Sequence, residues 1–359
     1  MSVPRASSCA AALALTLAAG SAAGLSPKKG VGMWSFPGDD QALEAVQASW
    51  FYTWSPYAGF VPPAGVSFVP LIWGAADVTT ADLDQAQTQG SILLGFNEPD
   101  LESQSNLSPA QALALWPQLV ATGMRLGSPA PSHGAATDGG WLETFMQGAA
   151  QQQLEVDFIC LHWYGGDFDT DSAVSELQTY LQQTHAAYQL PIWLTEFALT
   201  DYSSGTPVYP TVAQQSSFAT AAVRMLEATP YVERYAWFSL PPCPAGGGNG
   251  GCGDGNTTPL SLDGGGLTAV GEAYAAAQSV DAGLLDGGMP DAGQVADAGI
   301  PDAGPLPDSG VPEPDAGSGV MTSKPSSGCS SSSGPAAPLL LLCALGVALL
   351  RRFSGRWSR

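Results

Sequence analysis

The feature that most constrains the fold is an eightfold alternation of short apolar runs with longer amphipathic segments. The apolar runs are rich in β-branched and aromatic residues, which is typical of parallel strands buried on both faces. A chain that repeats strand and helix eight times over about 250 residues is predicted to form a single (β/α)8 TIM barrel. In chain order, the predicted strands are 30–36, 49–54, 66–73, 91–98, 125–131, 156–164, 191–199 and 234–240.

Helix signals lie between most of these runs. Ser108 is a capping residue and is followed by Pro109, which is favoured in the first helical turn. The link between the second and third strands, SPYAGFVPPAG, is short and rich in proline, so one helix is predicted to be reduced or missing there. A doubly wound sheet is the alternative, but no Gly-rich phosphate-binding turn is recognisable. The predicted helices are 39–48, 79–89, 108–121, 138–152, 170–188, 211–228 and 266–278.

Both ends of the chain differ in composition from the predicted barrel. Residues 1–23 combine an early arginine, an apolar run and small residues, which indicates a signal peptide, with an N-terminal membrane anchor as the alternative. Residues 281–327 are rich in Pro, Gly and Asp and are predicted to form a disordered linker. Residues 328–359 contain Cys329, a short apolar segment and a basic cluster, a pattern that indicates a membrane segment. This tail resembles the C-terminal sorting tail of myxobacterial surface proteins, which implies an exported protein held at the cell surface.

The remaining segment, 24–280, is the predicted barrel domain, and its charge narrows the choice of ligand. Between residues 30 and 280 there are 24 Asp and Glu but only three Arg. Such a surface repels polyanions, so nucleic acid is not expected as a partner and anionic polysaccharides are poor candidates. Nine Trp in the same stretch offer flat faces that suit neutral sugars, although about half of them are expected to pack in the core.

The cysteines and histidines give little sign of metal chemistry. Cys243 and Cys252 flank a Gly-rich loop and are predicted to form a disulfide in an exported protein. Cys160 lies in an apolar strand and is predicted to be a buried thiol. The three histidines lack the paired spacing of a metal site, so neither a metal nor another cofactor is predicted. A serine hydrolase is disfavoured because the chain lacks a Gly-x-Ser-x-Gly elbow.

Two glutamates stand at the ends of predicted strands. Glu98 follows the fourth strand in GFNEPD, and Glu196 lies near the end of the seventh in WLTEFA. The C-terminal ends of the strands carry the active site of a TIM barrel, so both carboxylates are predicted to face the same mouth. A carboxylate placed there without a basic partner is costly unless it serves chemistry. Cleavage of a glycosidic bond requires two carboxyl groups, one protonated and one ionised.

The motifs LGFNEPD, DFICLHWY and WLTEFA resemble those of glycoside hydrolase family 128, a member of clan A. The resemblance covers nearly all of 30–280 and implies a retaining β-1,3-glucanase that acts on a neutral β-glucan. It implies that Glu98 is the general acid/base, that Glu196 is the nucleophile and that Asn97 binds the 2-hydroxyl of the sugar under attack. The alternative is a non-catalytic β-glucan-binding surface protein on the same barrel, although binding alone would not require both glutamates.

Further site residues are predicted at other strand ends. Tyr164 is a candidate to hydrogen-bond the nucleophile, and His162 to contact sugar or hold a loop. Trp237 is predicted to stack on the sugar at the cleavage subsite. Many clan A enzymes carry an arginine near strand two, and no counterpart is visible here, so the group that orients the nucleophile is left open. Three more tryptophans near strand ends are candidate sugar platforms: Trp34, Trp54 and Trp73.

Overall fold

Eight parallel strands form the barrel of this computed structural model, which describes residues 25–240, 242–243, 252, 255–262 and 266–277. Each coincides with one of the eight predicted apolar runs, which confirms the (β/α)8 prediction. The third, fourth and fifth strands are shorter than predicted, because only two residues of each pair regularly with a neighbour. The strands are β1 (Lys29–Gly32), β2 (Trp50–Tyr52), β3 (Ser67–Phe68), β4 (Ile92–Leu93), β5 (Arg125–Leu126), β6 (Ile159–Gly165), β7 (Ile192–Leu199) and β8 (Val232–Phe238).

Hydrogen bonding between the strands runs around the barrel. Six strands form one sheet in the order β3-β2-β1-β8-β7-β6, and β4 pairs with β5. Two isolated parallel bridges link these sheets, one between Leu71 and Leu94 and one between Gly127 and Phe158. A Cβ on Gly127 would lie 2.5 Å from the Phe158 ring, so the close approach at the second bridge requires glycine. The bridges close the sheet, which brings the C-terminal ends of all eight strands to one mouth.

Seven α-helices lie in the described part of the chain. The capping prediction holds at Ser108, whose hydroxyl accepts a hydrogen bond from the Gln111 amide at 3.3 Å while Pro109 occupies the first turn. Between β2 and β3 the structure has no helix, as predicted. A short 3-10 helix, Ala75–Asp77, precedes the second α-helix. The α-helices are α1 (Asp39–Ala45), α2 (Thr80–Gln89), α3 (Pro109–Val120), α4 (Trp141–Gln151), α5 (Thr170–Tyr188), α6 (Val212–Ala228) and α7 (Ala269–Ala276).

Two short strands, β9 (Pro242–Cys243) and β10 (Ser261–Leu262), pair in parallel after the barrel strands. Cys252 is buried, but the side chain of Cys243 lies outside the described residues, so their pairing stays a prediction. The predicted signal peptide, linker and tail also lie outside the described residues. In the part that the structure describes, no helix combines the length and apolarity that a membrane span needs.

Two consecutive lysines at the start of the barrel cap the last two helices. Lys28 Nζ donates to the Glu227 and Thr229 carbonyls at the end of α6, each at 3.0 Å. Lys29 Nζ donates to three carbonyls at the end of α7, and the side chain is only 2% exposed. The last carbonyls of a helix lack partners within the helix and carry partial negative charge. An ammonium group at each position therefore stabilises the C-terminal ends of α6 and α7. Burial lowers the pKa of Lys29 to about 8, against the opposing charge of Glu227.

Candidate active site

Glu98 stands just after β4 in a backbone conformation that is rare for its type. Its φ is 39°, in the left-handed region, which costs a non-glycine residue roughly 1–2 kcal/mol. The surrounding backbone holds it there, because the Glu98 amide donates to the Ala130 carbonyl at 2.8 Å and the Asn97 amide donates to the Trp73 carbonyl at 3.0 Å. The Glu98 side chain lies among buried residues of the barrel mouth. Strain of this kind clusters at functional sites.

Glu196, near the end of β7, is held by three neutral hydrogen-bond donors. The Trp54 indole N–H donates to its Oε1 at 2.8 Å. The Tyr52 hydroxyl shares its one proton between the same oxygen at 3.2 Å and the Thr195 carbonyl at 3.0 Å. The Tyr164 hydroxyl donates to Oε2, which confirms the predicted contact. Tyr52 was not predicted as a site residue, although it lies within the second apolar run, 49–54, and ends β2. These donors answer the open question of what orients the Glu196 carboxylate.

His162 lies between the two carboxylates. Its Nδ1 is 2.9 Å from Glu98 Oε1, its Nε2 is 3.5 Å from Glu196 Oε1, and the side chain is 2% exposed. His162 and Tyr164 are two residues apart on β6, so both point to the same face. One carboxylate oxygen of Glu98, one of Glu196 and one ring nitrogen of His162 all lie within 4.8 Å of one another. Retaining glycosidases hold their carboxyl groups about 5–5.5 Å apart and inverting ones about 6.5–9.5 Å apart, so the geometry fits retention.

The electrostatics of the site depend on burial and on mutual charge. Burial raises the pKa of Glu196, the charge of His162 opposes this rise, and the charge of Glu98 adds to it. Burial alone would lower the pKa of His162, but the charges of Glu196 and Glu98 outweigh that effect and raise it. Burial and the neighbouring carboxylates hold the pKa of Tyr52 and Tyr164 well above the usual range, so both remain hydroxyl donors at neutral pH.

The hydrogen bonds are distributed unequally between the two glutamates. Glu196 accepts from Trp54, Tyr52 and Tyr164. Among the residues that the structure describes, the carboxyl group of Glu98 has a hydrogen bond with His162 alone. Donors favour the charged form of a carboxyl group, so the hydrogen bonds from Tyr164 and Trp54 oppose the effect of burial on the pKa of Glu196. Such donors suit a carboxylate that acts as a nucleophile.

An aromatic wall, which we define as Trp34, Trp54, Phe238, Tyr164 and Tyr202, lies beside Glu196. The ring of Trp54 is 6.0 Å from that of Trp34 and 5.7 Å from that of Phe238. The ring of Tyr164 is 5.8 Å from that of Phe238 and 5.5 Å from that of Tyr202. Trp34 is 40% exposed and Tyr202 is 36% exposed. The roles of Trp34 and Trp54 as sugar platforms stay predictions, while Phe238 and Tyr202 are neighbours that the sequence did not single out.

Trp237 does not face the site, and the prediction that it stacks on the sugar is wrong. Its side chain is fully buried, and its indole N–H donates to the Thr258 carbonyl at 2.8 Å. Its ring packs against Phe197 at 5.1 Å and Tyr274 at 5.6 Å, on the helix side of the barrel wall. Side chains alternate along a strand, so the next residue points to the barrel mouth instead.

Asn97 and Trp73 lie beside Glu98. Asn97 is 4% exposed, and its Nδ2 donates to Gln104 Oε1 at 3.4 Å. Its Oδ1 is buried without a hydrogen-bond partner among the described residues. A buried polar atom of this kind calls for a functional reason, and a substrate hydroxyl would supply one. Trp73 is half-buried, and its role as a sugar platform stays a prediction.

The basic side chains of the described part are all engaged or placed away from the two glutamates. Arg125 forms a two-pronged ion pair with Glu233, at 2.6 and 2.7 Å. Arg234 lies over the ring of Trp193 at 4.5 Å, and Arg224 is exposed on α6. Both lysines cap helices. His162 is therefore the one group beside Glu98 and Glu196 in the described part that can carry positive charge.

Glu98, His162 and Glu196 also form the one cluster of potential metal-binding side chains in the described residues. Their facing atoms are engaged with one another and with Tyr52, Trp54 and Tyr164. We therefore interpret them as acids and bases rather than as metal ligands.

We expect Tyr164→Phe to lower kcat about 10- to 100-fold, because a hydrogen bond to a charged group contributes about 1.5–3 kcal/mol. Tyr188→Phe is the matched control, since it removes a hydrogen bond to the Ala135 carbonyl away from the glutamates. Steady-state kinetics on a soluble β-glucan would measure both. An effect confined to KM would show that the Tyr164 hydroxyl serves binding and not the nucleophile.

A barrel with two buried carboxyl groups side by side at its mouth is the arrangement found in glycoside hydrolases. The chain belongs to the glycosyl hydrolase catalytic core family, whose sequence model matches residues 32–274.

Solved structures support the predicted assignment to glycoside hydrolase family 128. A subgroup I endo-β-1,3-glucanase from Amycolatopsis mediterranei, in complex with laminaritriose, is 49% identical over 70% of this chain and 100% of that one, with a TM-score of 0.65. A subgroup II endo-β-1,3-glucanase from Sorangium cellulosum is 28% identical over 70% and 99%, with a TM-score of 0.55. A subgroup III curdlan-specific exo-β-1,3-glucanase from Blastomyces gilchristii is 30% identical over 70% and 99%, with a TM-score of 0.54.

A curated relative is also similar over the barrel. Alkali-sensitive linkage protein 1 of Schizosaccharomyces pombe is 35% identical over 233 residues, which is 63% of this chain and 40% of that protein. The chain therefore spans less than half the length of this relative.

Proposed function

We propose that the protein hydrolyses β-1,3-glucan with retention of configuration, with Glu196 as nucleophile and Glu98 as general acid/base. The observation that carries the proposal is the buried carboxylate pair, whose facing atoms lie within 4.8 Å and whose donors are concentrated on Glu196. The linkage is supported by the relatives, which include an endo-β-1,3-glucanase solved with laminaritriose. Both glutamates are present and paired, so the non-catalytic binding protein is the weaker alternative.

In the first step, a Glu196 oxygen attacks the anomeric carbon while the bond to the leaving oxygen breaks. Glu98 gives its proton to that oxygen, so the departing glucan leaves as an alcohol. The sugar becomes an ester of Glu196, and Glu98 becomes a carboxylate. In this proposal Asn97 binds the 2-hydroxyl of the same sugar, which is supported by its buried Oδ1 without a partner among the described residues.

In the second step, the Glu98 carboxylate takes a proton from a water molecule while the water oxygen attacks the anomeric carbon. The ester bond to Glu196 breaks, which restores the Glu196 carboxylate and the Glu98 acid. Two inversions give net retention. The donors from Tyr52, Trp54 and Tyr164 stabilise the leaving carboxylate here, as they stabilise the nucleophile in the first step.

The test is incubation of the protein with laminarin, curdlan, cellulose and a mixed-linkage glucan. We expect cleavage of the two β-1,3-glucans, and proton NMR at early times should show products released as the β-anomer. Product sizes would separate endo from exo action. A protein that binds laminarin without releasing reducing ends would favour the binding alternative, and initial α-products would contradict retention.

We also propose that the protein is exported and held at the cell surface. The supporting features are the signal-peptide pattern of 1–23 and the Cys329-containing tail 328–359. A disulfide between Cys243 and Cys252 suits the same environment. Fractionation of cells that express the chain with and without 328–359 tests this, because loss of the tail should release the enzyme to the medium.

A further inference from the structure

We propose that His162 is a positioning residue for the catalytic proton: its imidazole and the Glu98 carboxyl group share one proton along the line between Nδ1 and Oε1. The general acid of the first step is then the pair rather than Glu98 alone. This inference rests on the function proposed above and extends it to the source of the proton.

The first observation is the closeness and isolation of the pair. Nδ1 of His162 lies 2.9 Å from Oε1 of Glu98, and the two side chains are 2% and 9% exposed. Among the described residues, the Glu98 carboxyl group has a hydrogen bond with no other side chain. One proton fits this contact in two ways, on Glu98 with Nδ1 accepting or on Nδ1 with the carboxylate accepting. Both states keep the same heavy-atom positions.

The second observation concerns the other ring nitrogen of His162, Nε2, and shows that it is protonated. Nε2 of His162 lies 3.5 Å from Oε1 of Glu196, a carboxylate that already accepts from Trp54 and Tyr52. An unprotonated Nε2 would direct its lone pair at a negative oxygen, so Nε2 keeps its proton in both states. The movable proton therefore lies on the Nδ1 side, next to the acid.

The charges around His162 keep that proton in the site. Glu98, Glu196 and the more distant Asp100 all favour a protonated imidazole, and together they outweigh the effect of burial, so the pKa of His162 is raised. Tyr52 and Tyr164, the other titratable groups at the ring, stay neutral. No lysine or arginine of the described residues is close enough to replace the imidazolium charge.

The sharing has a consequence for each step. When the leaving oxygen needs its proton, Glu98 delivers it, and a proton that rests on Nδ1 first passes to Glu98 Oε1. Afterwards Glu98 is a carboxylate 2.9 Å from Nδ1, and in the second step it takes a proton from the attacking water. The proton taken from water then restores the shared pair.

NMR titration of the imidazole signals in the full chain tests the pair without relying on activity. We expect the pKa of His162 to lie above the usual value of about 6.5 in the wild type, and to fall by about one unit or more in Glu98→Gln. His185→Gln removes an imidazole at the far end of α5 and should leave the His162 titration unchanged. A His162 titration that is the same in wild type and Glu98→Gln would overturn the proposal, whatever the enzyme does to laminarin.

The second test compares the kinetics on two substrates whose leaving groups differ in their need for a proton. On laminarin, whose leaving group needs a proton, His162→Gln should lose about 100-fold in kcat/KM, which reports the first step. On 2,4-dinitrophenyl β-laminaribioside, whose leaving group needs none, the loss should stay below about 10-fold. Equal losses on the two substrates would show that His162 only shapes the site. If His162→Gln does not fold, as judged by thermal unfolding, His162→Asn and the NMR titration decide the matter.

If the wild type cleaves neither substrate, the proposed function fails, and the shared proton is still judged by the NMR titration.

Discussion

Glu196→Ala and Glu98→Ala should each lose laminarin hydrolysis, and azide should restore reaction with opposite stereochemistry. We expect losses of about 10⁴-fold or more for Glu196→Ala, because the one other carboxyl group in this cluster of the described residues, Glu98, serves as the acid/base in the proposed mechanism. In that variant azide takes the place of the carboxylate and attacks once, so an activated β-glucoside gives an α-glycosyl azide. In Glu98→Ala the ester to Glu196 still forms, and azide attack on it gives a β-glycosyl azide. Proton NMR of the products distinguishes the two.

Glu102→Ala is the matched control, since Glu102 is an exposed carboxylate on the loop that follows Glu98. It should keep wild-type activity and give no glycosyl azide. The reverse pattern of anomers would exchange the roles of Glu98 and Glu196. If either Ala variant kept more than a few per cent of wild-type activity, that glutamate would be excluded from the chemistry.

Lys29→Met should lower the free energy of unfolding by about 3 kcal/mol, since it leaves the last carbonyls of α7 without a donor at about 1–3 kcal/mol for each buried group. Lys28→Met is the control, because Lys28 caps α6 in the same way at a position that is less buried, and its loss should cost less. Urea denaturation of both variants measures the difference. A Lys29→Met protein as stable as Lys28→Met would show that the cap on α7 contributes no more to the free energy of unfolding than the cap on α6.

The lowered pKa of Lys29 predicts how its contribution to the free energy of unfolding changes with pH. Its pKa is lowered to about 8 in the folded protein, below the usual value near 10.5 of the unfolded chain. Between these values the unfolded chain binds more protons, so the Lys29 contribution to stability increases as pH rises from about 8 to 10.5. The stability difference between wild type and Lys29→Met should therefore widen over this range.

The sequence was a good guide to the barrel and to the chemistry of its mouth. Eight apolar runs coincide with eight strands, and Glu98 and Glu196 lie together because parallel strands end at one mouth. Tyr164 reaches Glu196 as predicted. These successes rest on position along the chain, since the end of a strand is readable from where the apolar run stops.

The direction of each side chain was harder to read. Strands buried on both faces show no polar–apolar alternation, so nothing in the sequence tells which of Trp237 and Phe238 points inward. For the same reason, the sequence did not show that the Tyr52 side chain points toward Glu196. The Trp54 hydrogen bond to Glu196 also depends on a left-handed backbone, with φ of 53°, that the surrounding chain imposes.

The dual position of Trp54 limits how this enzyme can change. The indole ring belongs to the aromatic wall, while its N–H donates to the proposed nucleophile, Glu196, at 2.8 Å. A substitution there that adapts the cleft to a new glucan would also remove this hydrogen bond from the carboxylate. Trp34 is the member of the wall that packs on the Trp54 ring, and at 40% exposure it can vary at less cost. Substrate range is therefore expected to diversify from the rim of the cleft, while the wall next to Glu196 stays fixed.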